Sequence, residues 1–250
     1  MLFIASIAFV SHMHAMDRAQ ADSLVAQGVR AYAAGNHAAA RAAFDSVAVE
    51  YDSPALQLNL GNCFFKLGDV AHAILHYERG LRLAPAEADL QANLDLANEQ
   101  VKDRVGAPPA FALGNTWAQL RSGADPDQWA RRSLWASMLL FALLGFAVSL
   151  RRLVFRRVAW AAAGLALVSL LLCVGFAWAR HHELRDDTEA IIMAPKVDVR
   201  GEPRASGTVL FVLHKGTKVT VLHEDEQGWS EVQLPNGKVG WMPPATVERI

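Results

Sequence analysis

His72 and His76 lie four residues apart, and on a helix that spacing puts two imidazoles on one face, as zinc sites use them. No third ligand accompanies them, so the pair reads as solvated surface of a helix and no metal is expected. Cys63 has no local histidine and carboxylate partners and reads as a buried, inert thiol, while His181-His182 reads as facing lipid headgroups. Gly-rich phosphate loops, Gly-x-Ser-x-Gly and paired carboxylates in a pocket pattern are all missing from the sequence. The chemistry that remains is recognition. No cofactor is expected, and the chain reads as a non-enzyme.

The cationic cluster Arg151, Arg152, Arg156 and Arg157 points to a membrane. It separates two uncharged apolar runs, 133–150 and 158–179, which as helices reach about 27 and 33 Å, matching a hydrocarbon core about 30 Å thick. These are expected to be transmembrane helices joined by an Arg-rich loop, 151–157, that the positive-inside rule places in the cytoplasm. Both flanking parts then lie on the far side. Trp129, Trp135 and Trp178 fall near the outer ends of the spans and Trp160 near the inner end, as interfacial anchors do. Neither span carries a charge, so the hairpin is an anchor and not an ion path. The flanking segments are net acidic and lack basic patches interleaved with aromatics, which excludes nucleic acid as a partner. With cysteines only at 63 and 173, no disulfide is expected.

Residues 1–20 read as a signal peptide built on the short apolar stretch 2–10, and they agree with the arginines in sending the adjoining segment out of the cytoplasm. From 21 to 104 the sequence repeats with a period of 33: Gly28 aligns with Gly61, Gly35 with Gly68, Ala40 with Ala73 and Phe44 with Tyr77. The second copy, 54–87, reads Leu60-Gly61, Phe64-Phe65, Gly68-Asp69, Ala73, Tyr77 and Pro85, and it resembles the tetratricopeptide repeat; the first copy, 21–53, is looser. Residues 88–104 are expected to form a capping helix. The resemblance implies an α-solenoid whose groove presents Leu58, Asn59, Asn62 and Lys66, with Asn93 and Gln100 on the cap. Amide side chains there suit an extended peptide and Lys66 suits a carboxylate. Residues 105–132 form a Pro- and Gly-containing linker with a short amphipathic helix near 115–121.

Beyond 188 the period changes from 3.6 to short alternating strands, with Asn236-Gly237 as a strong hairpin signal. Val197-Asp198-Val199-Arg200, Gly228-Trp229 and Asn236-Gly237-Lys238-Val239-Gly240-Trp241 make 189–250 resemble the bacterial SH3 domain, an all-β barrel in which Trp229 and Trp241 are the candidate ligand-contacting aromatics. The fold class is therefore a multidomain membrane protein: an all-α repeat array, a transmembrane helical hairpin and an SH3-like barrel.

The order of these parts resembles the BatE family, the repeat protein of aerotolerance operons. That resemblance implies assembly with von Willebrand factor A-domain membrane proteins and a MoxR-type ATPase. The expected function is a two-pass scaffold of the bacterial inner membrane whose N-terminal and C-terminal modules both work in the periplasm, held close together by the hairpin. Two alternatives stay open: a peptidoglycan-binding wall tether acting through the SH3-like domain, and a chaperone-like clamp for exported chains.

Overall fold

A computed structural model describes residues 16–85, 87–103, 126–184 and 187–250. The expected signal peptide through residue 15 and the amphipathic helix near 115–121 lie outside the described residues. Asp17 accepts the Gln20 amide at 2.7 Å and starts α1 (Arg18–Ala33), and Asn36 accepts the Ala39 amide at 3.1 Å and starts α2 (His37–Ala48). These two helices form a unit ending at Asp52. Its core is Ala40, Ala43, Phe44 and Val47, and the Phe44 ring lies so near Gly28 that an added Cβ would stand 2.6 Å from Cε1.

The second unit begins at Ser53, whose hydroxyl accepts the Leu56 amide and starts α3 (Pro54–Lys66) with proline in the first turn. Gly68, at φ +81°, turns the chain into α4 (Val70–Leu83), and α5 (Ala88–Asn98) follows. The same glycine-to-aromatic approach recurs here, Gly61 against Tyr77. Small residues at these positions are the reason that a period of 33 produces a helix pair twice.

The apolar runs form α6 (Pro126–Ser149) and α7 (Leu153–Leu184), both long and apolar enough to cross a membrane. They pack through Leu140, Ala163 and Ala166, with Leu143, Leu144 and Leu170 beside them. The connection is shorter than the expected 151–157: only Leu150, Arg151 and Arg152 are non-helical, and Arg156 and Arg157 sit within α7. Nothing between 153 and 157 breaks a helix, so charge marks the turn without ending the helix. At its other end α7 runs on to Leu184, where the buried Arg180 guanidinium donates to the carbonyl of Arg82 in α4.

Seven antiparallel strands complete the unit: β1 (Glu189–Ile192), β2 (Lys196–Arg200), β3 (Val209–His214), β4 (Lys218–Glu224), β5 (Ser230–Gln233), β6 (Val239–Met242) and β7 (Val247–Arg249), in the order β3-β2-β6-β5-β4-β1-β7. Val197, Val199, Val219, Val221, Val232 and Met242 fill the centre. Asn236 Oδ1 accepts the Lys238 amide and Gly237 takes φ +84°, as the hairpin signal requires.

This β-domain does not stand apart from the helices. Ile191 and Ile250 enter the same apolar cluster as Ile74, Leu90, Leu94 and Val101, so β1 is covered on both faces. Asp103 receives the His214 backbone amide, His214 Nδ1 at 2.9 Å and Thr217 Oγ1 at 3.0 Å. Lys218 Nζ lies 3.0 Å from both Glu78 and Glu189, and Arg79 donates to the Arg249 carbonyl at 2.7 Å. Burial works against the charge on Lys218, but the two carboxylates outweigh it and raise its pKa above the ordinary value. Polar pairs that cross a junction this buried fix its register.

Candidate functional site

The residues expected to line a groove follow one face of α3, where Leu58, Asn62 and Lys66 recur every four residues. Leu58 packs partly into the core, and with Ser53, Pro54, Ala55 and Glu87 it lines a cleft of about 340 Å³. Asn62 and Asn93 meet: Asn62 Oδ1 accepts the Tyr77 hydroxyl at 2.8 Å and the Asn93 amide at 3.1 Å. That pairing commits the Asn62 oxygen and the Asn93 nitrogen, and it leaves the Asn62 amide as a donor and the Asn93 oxygen as an acceptor. One peptide unit needs that pair. Asn59 is half-buried and Lys66 exposed, so α3 adds a cation at the end of the row.

Gln100 departs from the expected arrangement. The capping helix stops at Asn98 and not at 104, so Gln100 lies in the turn after it, its amide bonded to the Ala97 carbonyl, and does not continue the Asn93 face. Val101 is the reason: it leaves the helix to pack under Gly216 of the β-domain.

The histidine pair is structural. His72 and His76 stack on the Phe64 ring, with centroids at 5.0 and 5.1 Å, and their Nδ1 atoms bond Asp69 and Gln57 at 2.8 and 2.7 Å. Among the described residues no group of three His, Cys, Asp or Glu is arranged to hold a metal. Burial, with Arg79 and His72 adding to it, lowers the His76 pKa from 6.5 to about 4. The unfolded chain therefore takes up this proton first as pH falls below 6.5, and stability drops by up to about 3 kcal/mol by pH 4, below which the loss is complete. Thermal unfolding between pH 7 and 5 checks this: the wild type should lose stability on acidification, and His76→Gln should lose distinctly less.

The two tryptophans differ. Trp229 is only 9% exposed, its amide bonded to Asp225 Oδ1, so it is core and not a platform for ligand. Trp241 is half-buried on the outer face of the sheet, paired in register with Arg200 of β2 and Glu231 of β5, with the His223 ring edge-on at 6.2 Å. Sequence marks Arg200 only as part of a strand motif and gives Glu231 and His223 no signal, because only strand register brings the three around Trp241. Arg151, Arg152, Arg156 and Arg157 are all exposed at the closed end of the hairpin.

With this geometry in view, family comparison assigns both modules. Residues 54–87 match the tetratricopeptide repeat. Residues 195–248 match the bacterial SH3 domain. No curated protein matches the chain. The matches cover α3 and α4 on one side and β2 to β6 with most of β7 on the other, so the Lys218–Glu78 pair joins a tetratricopeptide repeat directly to a bacterial SH3 domain, and Asp103, beyond the matched repeat, adds to the same junction. Both module types are typically non-catalytic and serve protein or cell-wall recognition.

Proposed function

We propose that this protein is a non-enzymatic scaffold of the bacterial inner membrane, held by α6 and α7 as a two-pass hairpin, with the repeat and SH3 modules in the periplasm. The observation that carries this reading is the Asn62–Asn93 pair beside Leu58 and Lys66, an amide donor and acceptor with an apolar contact and a cation, suited to an extended segment of a partner protein. The SH3 domain packs against α4 and the end of α5 and leaves the α3 row open. The finer assignment, a BatE-like subunit working with von Willebrand factor A-domain membrane proteins, follows from the order of the parts. A second reading, peptidoglycan binding, is favoured by Trp241 with Arg200, Glu231 and His223 around it, an aromatic face among charged groups.

Affinity purification of the full chain from crosslinked membranes separates the two. Loss of defined membrane proteins with Lys66→Glu or Asn93→Ala, but not with Trp241→Ala, is expected. Recovery of wall fragments alone, abolished by Trp241→Ala and indifferent to Lys66→Glu, would replace the scaffold with a wall tether.

A further inference from the structure

We propose that the arginine end of the hairpin is a binding surface for anionic phospholipid, in which Arg151, Arg152, Arg156 and Arg157 grip lipid phosphates at headgroup level. This rests on the membrane insertion proposed above but goes beyond orientation, for which any cytoplasmic cation would serve.

Three observations carry it. The first is where the arginines sit. Because α7 starts at Leu153, Arg156 and Arg157 project from a helix whose neighbouring surface is apolar: Leu153, Val154 and Phe155 are 59, 71 and 56% exposed on one side, and Val158 and Trp160 are 62 and 52% exposed on the other. Guanidiniums on such a surface extend toward the boundary of the hydrocarbon, which is the level of the phosphates.

The second is length. The helix from Leu153 to His182 has 30 residues and spans about 45 Å, of which the uncharged stretch 158–179 accounts for about 33 Å, close to a core about 30 Å thick. Residues 153–157 at one end and 180–182 at the other therefore reach the headgroup layer. The arginine end is suited to it, with Trp160 one turn further in and only three non-helical residues at the connection.

The third is charge. Among the described residues none of the four hairpin arginines has a carboxylate partner, and the four fall within the seven residues 151–157, which hold no acid. Phosphate matches the guanidinium fork in shape and accepts two hydrogen bonds from it. A zwitterionic headgroup carries its own cation, so a net-negative lipid is the better fit to four uncompensated positive charges.

The test uses the full chain purified in detergent with equal phosphatidylglycerol and phosphatidylcholine, with retained lipid counted by native mass spectrometry. R156Q/R157Q leaves Arg151 and Arg152 to set orientation, and R156K/R157K keeps charge without the fork. Wild type should retain phosphatidylglycerol about tenfold over phosphatidylcholine, R156Q/R157Q should fall toward parity, and the lysine variant should lie between. Carbonate extraction of the source membranes reads insertion separately. Wild type that stays embedded but shows no preference, or shows one that R156Q/R157Q leaves intact, overturns the lipid surface alone. Wild type released by carbonate overturns the hairpin anchor as well. Charge-dependent capture of an acidic protein in place of phosphatidylglycerol also overturns the lipid surface.

Discussion

Asp103→Ala is expected to loosen the SH3 domain from the tetratricopeptide repeat at a cost of about 3 kcal/mol. The carboxylate takes three hydrogen bonds from the far side of the junction, from the His214 amide, His214 Nδ1 and Thr217 Oγ1, and alanine leaves all three donors without it. Burial alone would raise the Asp103 pKa, but those bonds outweigh it and hold it below the ordinary 3.8. The sign of the pH effect is set by that lowering: the stabilisation is complete above pH 3.8 and is lost as pH falls below it, a window apart from that of His76. Limited proteolysis between 103 and 189, together with thermal unfolding, measures the loss. Asp103→Asn keeps an acceptor and should cost less than half as much. Alanine behaving like wild type in both assays would mean that the junction is held by Ile191, Ile250 and Val101 alone.

Gly61→Ala should cost about 3 kcal/mol, although alanine is the better helix former. An added Cβ would stand 2.6 Å from Tyr77 Cδ1, and Tyr77 is 1% exposed with its hydroxyl tied to Asn62, so the ring has nowhere to move. The damage reaches the Asn62–Asn93 pair of the proposed groove, because Tyr77 and Asn93 share the Asn62 oxygen. Gly68→Ala is the control: its φ is +81° and nothing lies within 4 Å of the new Cβ, so the cost is backbone strain of about 1 kcal/mol. Denaturant unfolding of the two variants should rank Gly61→Ala well below Gly68→Ala, and the reverse order would discard close packing as the reason for glycine at 61.

Several features of the chain follow from local sequence because local physics makes them. The close approach of Gly61 to Tyr77 is written as a small residue and an aromatic at repeat spacing, and the β5–β6 turn as Asn236-Gly237. The third strong signal is uncharged length, which is enough to form α6 and α7. Where a reading relied on charge or composition alone, it missed the boundary. Arginines do not stop a helix, so α7 begins at Leu153, and β7 is a three-residue strand with no periodic signal of its own.

The tertiary structure alone decided how the modules meet. Asp103 and His214 are 111 residues apart, and no periodicity in either segment encodes that contact. One trace of it is present in Ala190-Ile191-Ile192, an unbroken apolar run where a half-exposed strand would alternate, and all three are fully buried. The same packing pulls Val101 out of line, which takes Gln100 off the helix face that carries Asn93, and strand register gathers Arg200, Glu231 and His223 around Trp241 while Trp229 goes into the core. Sequence by itself determined which modules exist, because each is built from contacts within one repeat or one hairpin. Which of their faces remain open to a partner depended on surfaces brought together from distant segments, and only the folded chain holds those.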